Sequence, residues 1–337
     1  MKLNHDRQMR KSIAIIITSI LVLSGCNKQQ SVSDRLLNEV GKAIAINPDS
    51  ASNLLKGISS PEKLDDKTFA RWCMLSGKIT DEIFTTILPT YQLERAYDWY
   101  SSHGSPDEQV QILIYLGRSY FADGDYDKAM SIYTNALDIA EKNKLNNLTG
   151  YTYSYIGDLY GEKFMRTEAI KRYKAAAECF KKENNTDSYA CALRDVGREY
   201  ACIDSLSRAL KILTIADSVA RNTKNIEVTA SIDNALGNIY AMQNKYDKAE
   251  EYFLKALVGR ETMPDYMALI DLYIASGAIN KAQELLSKIP QDNPKYTYSI
   301  KYLYYQIYNE EKNYKEALTN LKEYVEITDS IIYADNQ

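Results

Sequence analysis

The chain has 337 residues, with 41 Lys+Arg against 45 Asp+Glu, a formal net charge of −4 and two histidines. An acidic balance argues against nucleic acid as a partner, because phosphate binding needs clustered positive charge. His103 is the one histidine beyond the N-terminal segment, so a His-cluster metal site or a His-based dyad has almost no raw material. No phosphate-cradling glycine loop occurs and the carboxylates are scattered, so the chain reads as a non-enzyme with no cofactor and no metal.

In chain order, Lys2, Arg7, Arg10 and Lys11 precede an 11-residue apolar run from Ile13 to Leu23, which a Ser24-Gly25 exit closes. This is the layout of a secretory signal peptide, and the run is well short of the roughly 20 residues a membrane span needs. Leu23-Ser24-Gly25-Cys26 resembles the bacterial lipobox, which implies cleavage before Cys26 and acylation of its thiol. A plain transmembrane anchor and an uncleaved core helix are the competing readings. Loss of residues 1–25 takes away four basic residues and one acidic residue and leaves a net charge of −7. Residues 26–33 then form a tether without an acidic cluster, and the expected address is the outer membrane, facing the periplasm. No later apolar stretch reaches membrane-spanning length.

Residues 34–106 read as degenerate helical repeats. DRLLNEVGKAIAINPDSASNLLKGI (34–58) holds two short amphipathic helices around Asn47-Pro48, and TFARWCMLSGKI and YQLERAYDWYSSHG extend the pairing. His103 falls at a helix end, where a cation suits the helix dipole.

Residues 107–263 hold four regular units. Glycine recurs at 117, 157, 197 and 237 and tyrosine at 120, 160, 200 and 240, each at an interval of 40 residues. Alanine recurs at the same interval from 129 and from 136. Leucine 116 and Tyr120 share one helical face, and a glycine inside a helix costs roughly 0.5–1 kcal/mol against alanine, so its recurrence implies close packing. Ala122-Asp123-Gly124-Asp125 and Gln243-Asn244-Lys245 are turn-like, which makes each unit an antiparallel helix pair. Residues 264–337 add two shorter units, IDLYIASGAINKAQELL and YQIYNEEKNYKEALTNL, with Ile270 and Tyr305 in place of the glycine.

The pattern of small and large residues at Leu116, Gly117, Tyr120, Tyr126, Ala129, Tyr133 and Ala136 resembles the tetratricopeptide repeat. It recurs at Leu236, Gly237, Tyr240, Tyr246, Ala249, Phe253 and Ala256. The resemblance implies an all-α fold, an α-α solenoid of helix pairs. A 40-residue period exceeds the usual 34 or so, which predicts longer second helices in the first three units. The INPDSASNLL motif and repeats behind a lipobox also resemble tetratricopeptide envelope proteins of the Bacteroides lineage.

In the family the residue after the glycine, and the one four earlier, point into the concave surface. Here these are Ile114/Arg118, Ser154/Asp158, Arg194/Arg198 and Asn234/Asn238. Arginine forks suit carboxylates and asparagine amides suit a peptide backbone, so Arg118, Asp158, Arg194, Arg198, Asn234 and Asn238 are the candidate ligand residues. The alternating signs of Arg118, Asp158 and Arg198 equally suit a ladder between repeats.

The implied function is a membrane-anchored interaction scaffold that takes a protein or peptide in its groove. A sensor or regulatory component of a signalling system is the first alternative, and a glycan-binding lipoprotein the second. Cys179 and Cys191 flank a turn and permit either a disulfide or free buried thiols. Most tyrosines occupy packing positions, with Tyr151, Tyr155 and Tyr302 left as candidates for exposure. Asp49-Ser50, Asp204-Ser205, Asp217-Ser218 and Asp329-Ser330 resemble a short O-glycosylation motif, though helix capping explains such pairs as well.

Overall fold

The computed structural model describes residues 33–83, 86–259, 262–291 and 296–335. The signal segment, the lipobox and Cys26 lie outside them. Among the described residues the fold is all-α and no helix is long and apolar enough to cross a membrane. The chain divides into two compact units, residues 1–159 and 160–337.

The first unit begins with helix α1 (33–44), α2 (Pro48–Leu55), α3 (Asp66–Ile83) and α4 (Thr90–His103). Asn47 caps α2 by accepting the Ser50 N–H at 2.8 Å, as the Asn-Pro signal implies. α5 (Pro106–Ala122) opens with a capping box between Ser105 and Glu108 and pairs with α6 (Tyr126–Lys142). The division falls inside α7 (Asn146–Glu162). The second unit holds α8 (Arg166–Lys182), α9 (Thr186–Cys202), α10 (Leu206–Thr223), α11 (Ile226–Met242) and α12 (Tyr246–Gly259). It continues through α13 (Met263–Ala275), α14 (Ile279–Ser287), α15 (Thr297–Glu310) and α16 (Tyr314–Asp335).

The 40-residue period resolves into two half-periods of 20. Left-handed backbone recurs at Gly124, Lys144, Phe164, Asn184, Asp204, Lys224 and Asn244, at the middle of successive connectors. At the first-to-second helix turns the closing bond runs to a register tyrosine. Tyr120, Tyr160, Tyr200 and Tyr240 accept the N–H of Asp125, Met165, Ser205 and Lys245 at 2.8–2.9 Å. That six-to-one bond is the Schellman closure, which satisfies carbonyls the helix end would orphan.

The second helices of the first three units run longer than α12, which has 14 residues, and the first helices share the extra length. The second helices α6, α8 and α10 have 17, 17 and 18 residues, and the first helices α5, α7, α9 and α11 have 17 each. Their paired αL connectors lengthen both arms in step.

Three register glycines, Gly117, Gly197 and Gly237, are notches for the second helix. A Cβ on Gly117 would stand 2.2 Å from the Tyr133 ring, and one on Gly237 would stand 2.6 Å from Phe253. On Gly197 it would meet Leu213 at 2.6 Å. The alanines at 129, 136, 169, 176, 209, 216, 249 and 256 are all fully buried, which lets the helices approach closely. In the α13–α14 pair Ile270 is buried in the core that holds Leu269 and Leu286, so a side chain fills the place of the notch.

Several smaller expectations change. Cys73, Cys179, Cys191 and Cys202 are free thiols, but only Cys73 is buried. Tyr151 is exposed, whereas Tyr155 stacks on Tyr133 at 5.6 Å and Tyr302 packs between Tyr305 and Tyr324. Asp217-Ser218 and Asp329-Ser330 lie inside α10 and α16, so capping does not account for those two pairs. His103 ends α4, where its Nδ1 lies 3.0 Å from the Trp99 carbonyl.

Candidate functional site

In the first unit the inner helices α1, α3, α5 and α7 enclose a cavity of 540 Å³, within the range of small-molecule and peptide side-chain sites. Its apolar wall is Ile44, Ile114 and Leu148, and its aromatic wall is Tyr115, Tyr151 and Tyr155. Arg118 stands among these rings, with its guanidinium carbon 5.5 Å from the Tyr155 centroid and 6.0 Å from that of Tyr115. Such spacing is that of a cation–π contact.

Arg118 pairs with Asp81 of α3, whose other oxygen accepts the Tyr115 hydroxyl at 2.9 Å. Gln111 in turn donates to that hydroxyl at 3.4 Å. The network ties α3 to α5 and holds the arginine half-buried. Burial pushes the Tyr155 hydroxyl up to about 12, with Arg118 opposing, so the ring is neutral at physiological pH. Lys78 and Glu82 also line the cavity, and neither is engaged by a described residue.

Lys78 and Asp81 are residues that the sequence reading did not single out. A signal for the first was present, since Gly77 stands 40 residues before Gly117 and Lys78 is the residue after it. A Cβ on Gly77 would stand 2.3 Å from the Tyr115 ring, so this glycine also accommodates a close approach. Asp158 lies on α7 one turn beyond Tyr155 and is exposed. Ile114, the partner position to Arg118, is buried in the cavity wall.

The other four candidates lie in the second unit. Arg194 places its fork on Asp195, at 2.9 and 3.1 Å, and donates to Ser231 of α11 at 2.9 Å. Asn234 donates to the buried Asp265 of α13 at 2.9 Å, and Asn238 donates back to Asn234. Arg198 is exposed, with Asp195 at 3.8 Å. Arg194 and Asn234 thus tie successive inner helices, as Arg118 does through Asp81. Arg198 and Asn238 project to solvent.

A second cavity, of 680 Å³, opens between α10, α11 and α12. Ile226, Leu254 and Val258 line it, with the buried Asp233 bonded to Arg221 at 2.5 Å. Among the described residues no group of three or more His, Cys, Asp or Glu could hold a metal ion.

Models of the tetratricopeptide repeat match residues 108–182 and 229–263. No curated protein sequence matches the chain. Among solved structures the chain is similar to a Rap protein complexed with Competence and Sporulation Factor, at 17% identity and a TM-score of 0.68. That match covers 90% of this chain and 88% of the other. It is also similar to NprR in complex with its cognate peptide NprX, at 14% identity and a TM-score of 0.55, over 86% of this chain and 88% of that one. Aspartyl phosphate phosphatase F from Bacillus subtilis matches at 15% identity and a TM-score of 0.59, over 82% and 75%. At these identities the likeness is one of fold. Residues 108–182 and 229–263 are tetratricopeptide repeats, set in a chain of all-α solenoid fold.

Proposed function

We propose that this chain is a lipid-anchored envelope scaffold, without enzymatic activity, that binds a peptide segment of a partner protein in the cavity of its first unit. The observation that carries the reading is the cavity's lining: three tyrosines, an aliphatic wall and two unengaged charges, Lys78 and Glu82, of opposite sign. An extended peptide offers matching chemistry, with apolar and aromatic side chains for the walls and ionised groups for the two charges. The peptide-bound NprR structure supports the reading by analogy of fold. The lipobox residues support an anchor on Cys26, where acylation contributes about 0.8 kcal/mol per buried CH₂.

A photo-crosslinking residue at Tyr151, in cells, tests the site. Lys78→Glu and Arg118→Ala should each abolish capture of the partner seen with the unaltered lining. Capture that is indifferent to both changes, in folded variants, would remove the cavity from the function. Labelling with a fatty-acid analogue that disappears in Cys26→Ser tests the anchor separately. A peptide-sensing regulatory component would use the same cavity, and a transcriptional response to deletion that Lys78→Glu reproduces would favour it.

A further inference from the structure

The cavity between α10, α11 and α12 departs from the repeat it is built on. Leu254 stands where the earlier units have Thr134, Lys174 and Thr214, and Val258 where they have Asp138, Glu178 and Ser218. Ile226 opens α11, whereas Asn146 opens α7 and Thr186 opens α9. Leu254, Val258 and Ile226 are 45%, 91% and 65% exposed, so packing within the solenoid does not require them to be apolar. The reverse change occurs at Asp233, which is 2% exposed at the position that Leu113, Tyr153 and Leu193 hold in the other units. In one unit, around one cavity, apolar side chains have moved outward and a carboxylate inward.

These residues share two facing walls. Ile226, Ala230 and Asp233 lie at i, i+4 and i+7 on α11, and Leu254 and Val258 at i and i+4 on α12. The α11 wall is ~10 Å long. Gly259 keeps the walls close, since a Cβ there would stand 3.0 Å from Ala230 and 3.1 Å from Ile226.

The charges around Asp233 set the kind of ligand. Its Oδ1 accepts from Arg221 at 2.5 Å, Arg221 also donates to Asp217 at 2.9 Å, and Lys255 pairs with Glu251 at 2.6 Å. Asp233 Oδ2 accepts no bond from a described residue. Three carboxylates thus share two cations, and the third cation of the lining, Lys224, stands on the connector before α11, about two helical turns from Asp233. Burial pushes Asp233 up to about 6, with Arg221 opposing and Asp217 adding to the rise. At neutral pH the cavity therefore holds an ionised carboxylate with one open oxygen and a local shortage of positive charge. A protonated nitrogen on a hydrocarbon body answers both, by donating to that oxygen and covering the exposed aliphatic side chains. An anion would meet three carboxylates, and a neutral alcohol would leave the charge uncompensated.

We propose that this cavity is a second binding site, for a small apolar amine. Its protonated nitrogen bonds Asp233 Oδ2, and its hydrocarbon body lies against Ile226, Ala230, Leu254 and Val258. The site shares no residue with the cavity of the first unit, so either can fail without the other.

Isothermal titration of the full-length chain with hexylamine at pH 7.5, with the detergent solution as blank, tests the proposal. Hexylamine should bind saturably, and hexanol and hexanoate at least about tenfold more weakly, a difference of about 1.4 kcal/mol. From butylamine to hexylamine the affinity should rise by up to about fourfold per added CH₂. Asp233→Asn should abolish the preference for the amine over the alcohol. Leu254→Thr with Val258→Ser, which restores the residues of the preceding unit, should weaken hexylamine about tenfold with helical circular dichroism unchanged. Hexylamine that fails to bind, or binds no better than hexanol, would overturn the proposal. So would a preference for the amine that survives Asp233→Asn, or an affinity indifferent to the paired change. Leu254 and Val258 are exposed, so the paired variant keeps the test valid even where Asp233→Asn misfolds.

Discussion

Alanine in place of a register glycine adds one methyl group, and its effect divides into two opposing terms. In a helix interior Gly→Ala stabilises by about 0.8–1 kcal/mol through backbone entropy. At Gly237 the new Cβ would stand 2.6 Å from two ring carbons of Phe253. Ordinary contact begins at about 3.4 Å, so the ring must retreat by about 0.8 Å. Phe253 is 1% exposed and packed within the core of α13 and α14, so it has nowhere to go without moving that core. Overpacking of this kind costs about 1–3 kcal/mol, which against the helix term leaves a net loss of up to about 2 kcal/mol. Gly161, in the same unit, is the internal control. A Cβ there would meet Glu199 Oε1 at 3.5 Å, an ordinary contact, so Gly161→Ala should gain up to about 1 kcal/mol. Urea unfolding followed by circular dichroism measures both. The expectation is opposite signs for one substitution at two helical glycines of one unit. Gly237→Ala at least as stable as wild type would refute the notch argument, and equal losses at both sites would show that local helix effects dominate.

Other outcomes follow from the same geometry. Lys144 holds φ at 58° in an exposed connector, so Lys144→Gly should raise the unfolding midpoint by the equivalent of about 0.5–1 kcal/mol, and Lys144→Ile should lower it. Burial pushes Asp233 up to about 6, with Arg221 pulling the other way and Asp217 adding to the rise. The folded state therefore holds a proton that the unfolded state releases near pH 4. Stability from this group is full below about pH 4 and is lost as the pH rises through about 6, by at most on the order of 3 kcal/mol. Unfolding of wild type and Asp233→Asn across pH 3.5–7 should diverge in that window, and parallel curves would contradict it. Arg194→Ala leaves the half-buried Asp195 to the exposed Arg198 at 3.8 Å and cuts the bond to Ser231, so a loss of about 1–2 kcal/mol is expected in thermal unfolding. A change within about 0.5 kcal/mol would show that these bonds contribute little to stability.

The helix pairs were legible in advance because their specification is local and periodic. A glycine, a tyrosine and two alanines at fixed offsets dictate where helices meet, and every repeat restates them. The resemblance to the tetratricopeptide repeat projected Arg118 onto the inner face, and one more 40-residue step upstream from Gly117 reaches Gly77 and Lys78 in the cavity. The half-period of 20 was harder to see, because five different residue types hold the left-handed conformation: Gly124, Lys144, Phe164, Asn184 and Asp204. Backbone hydrogen bonding at the helix end selects that geometry, and only one of the five carries glycine's mark in the sequence.

Which charge meets which was decided elsewhere. Asp81 reaches Arg118 from 37 residues away, and Arg194 turns back onto its neighbour Asp195 although adjacent helical residues do not face each other. Both depend on the length and bend of an arginine side chain and on where the next helix leaves room for it. Positions along a helix are set by the chain itself, so the repeat could be read from residue spacing. Partners across helices are set by crossing geometry and competition among nearby groups, which exist only once the pairs have stacked.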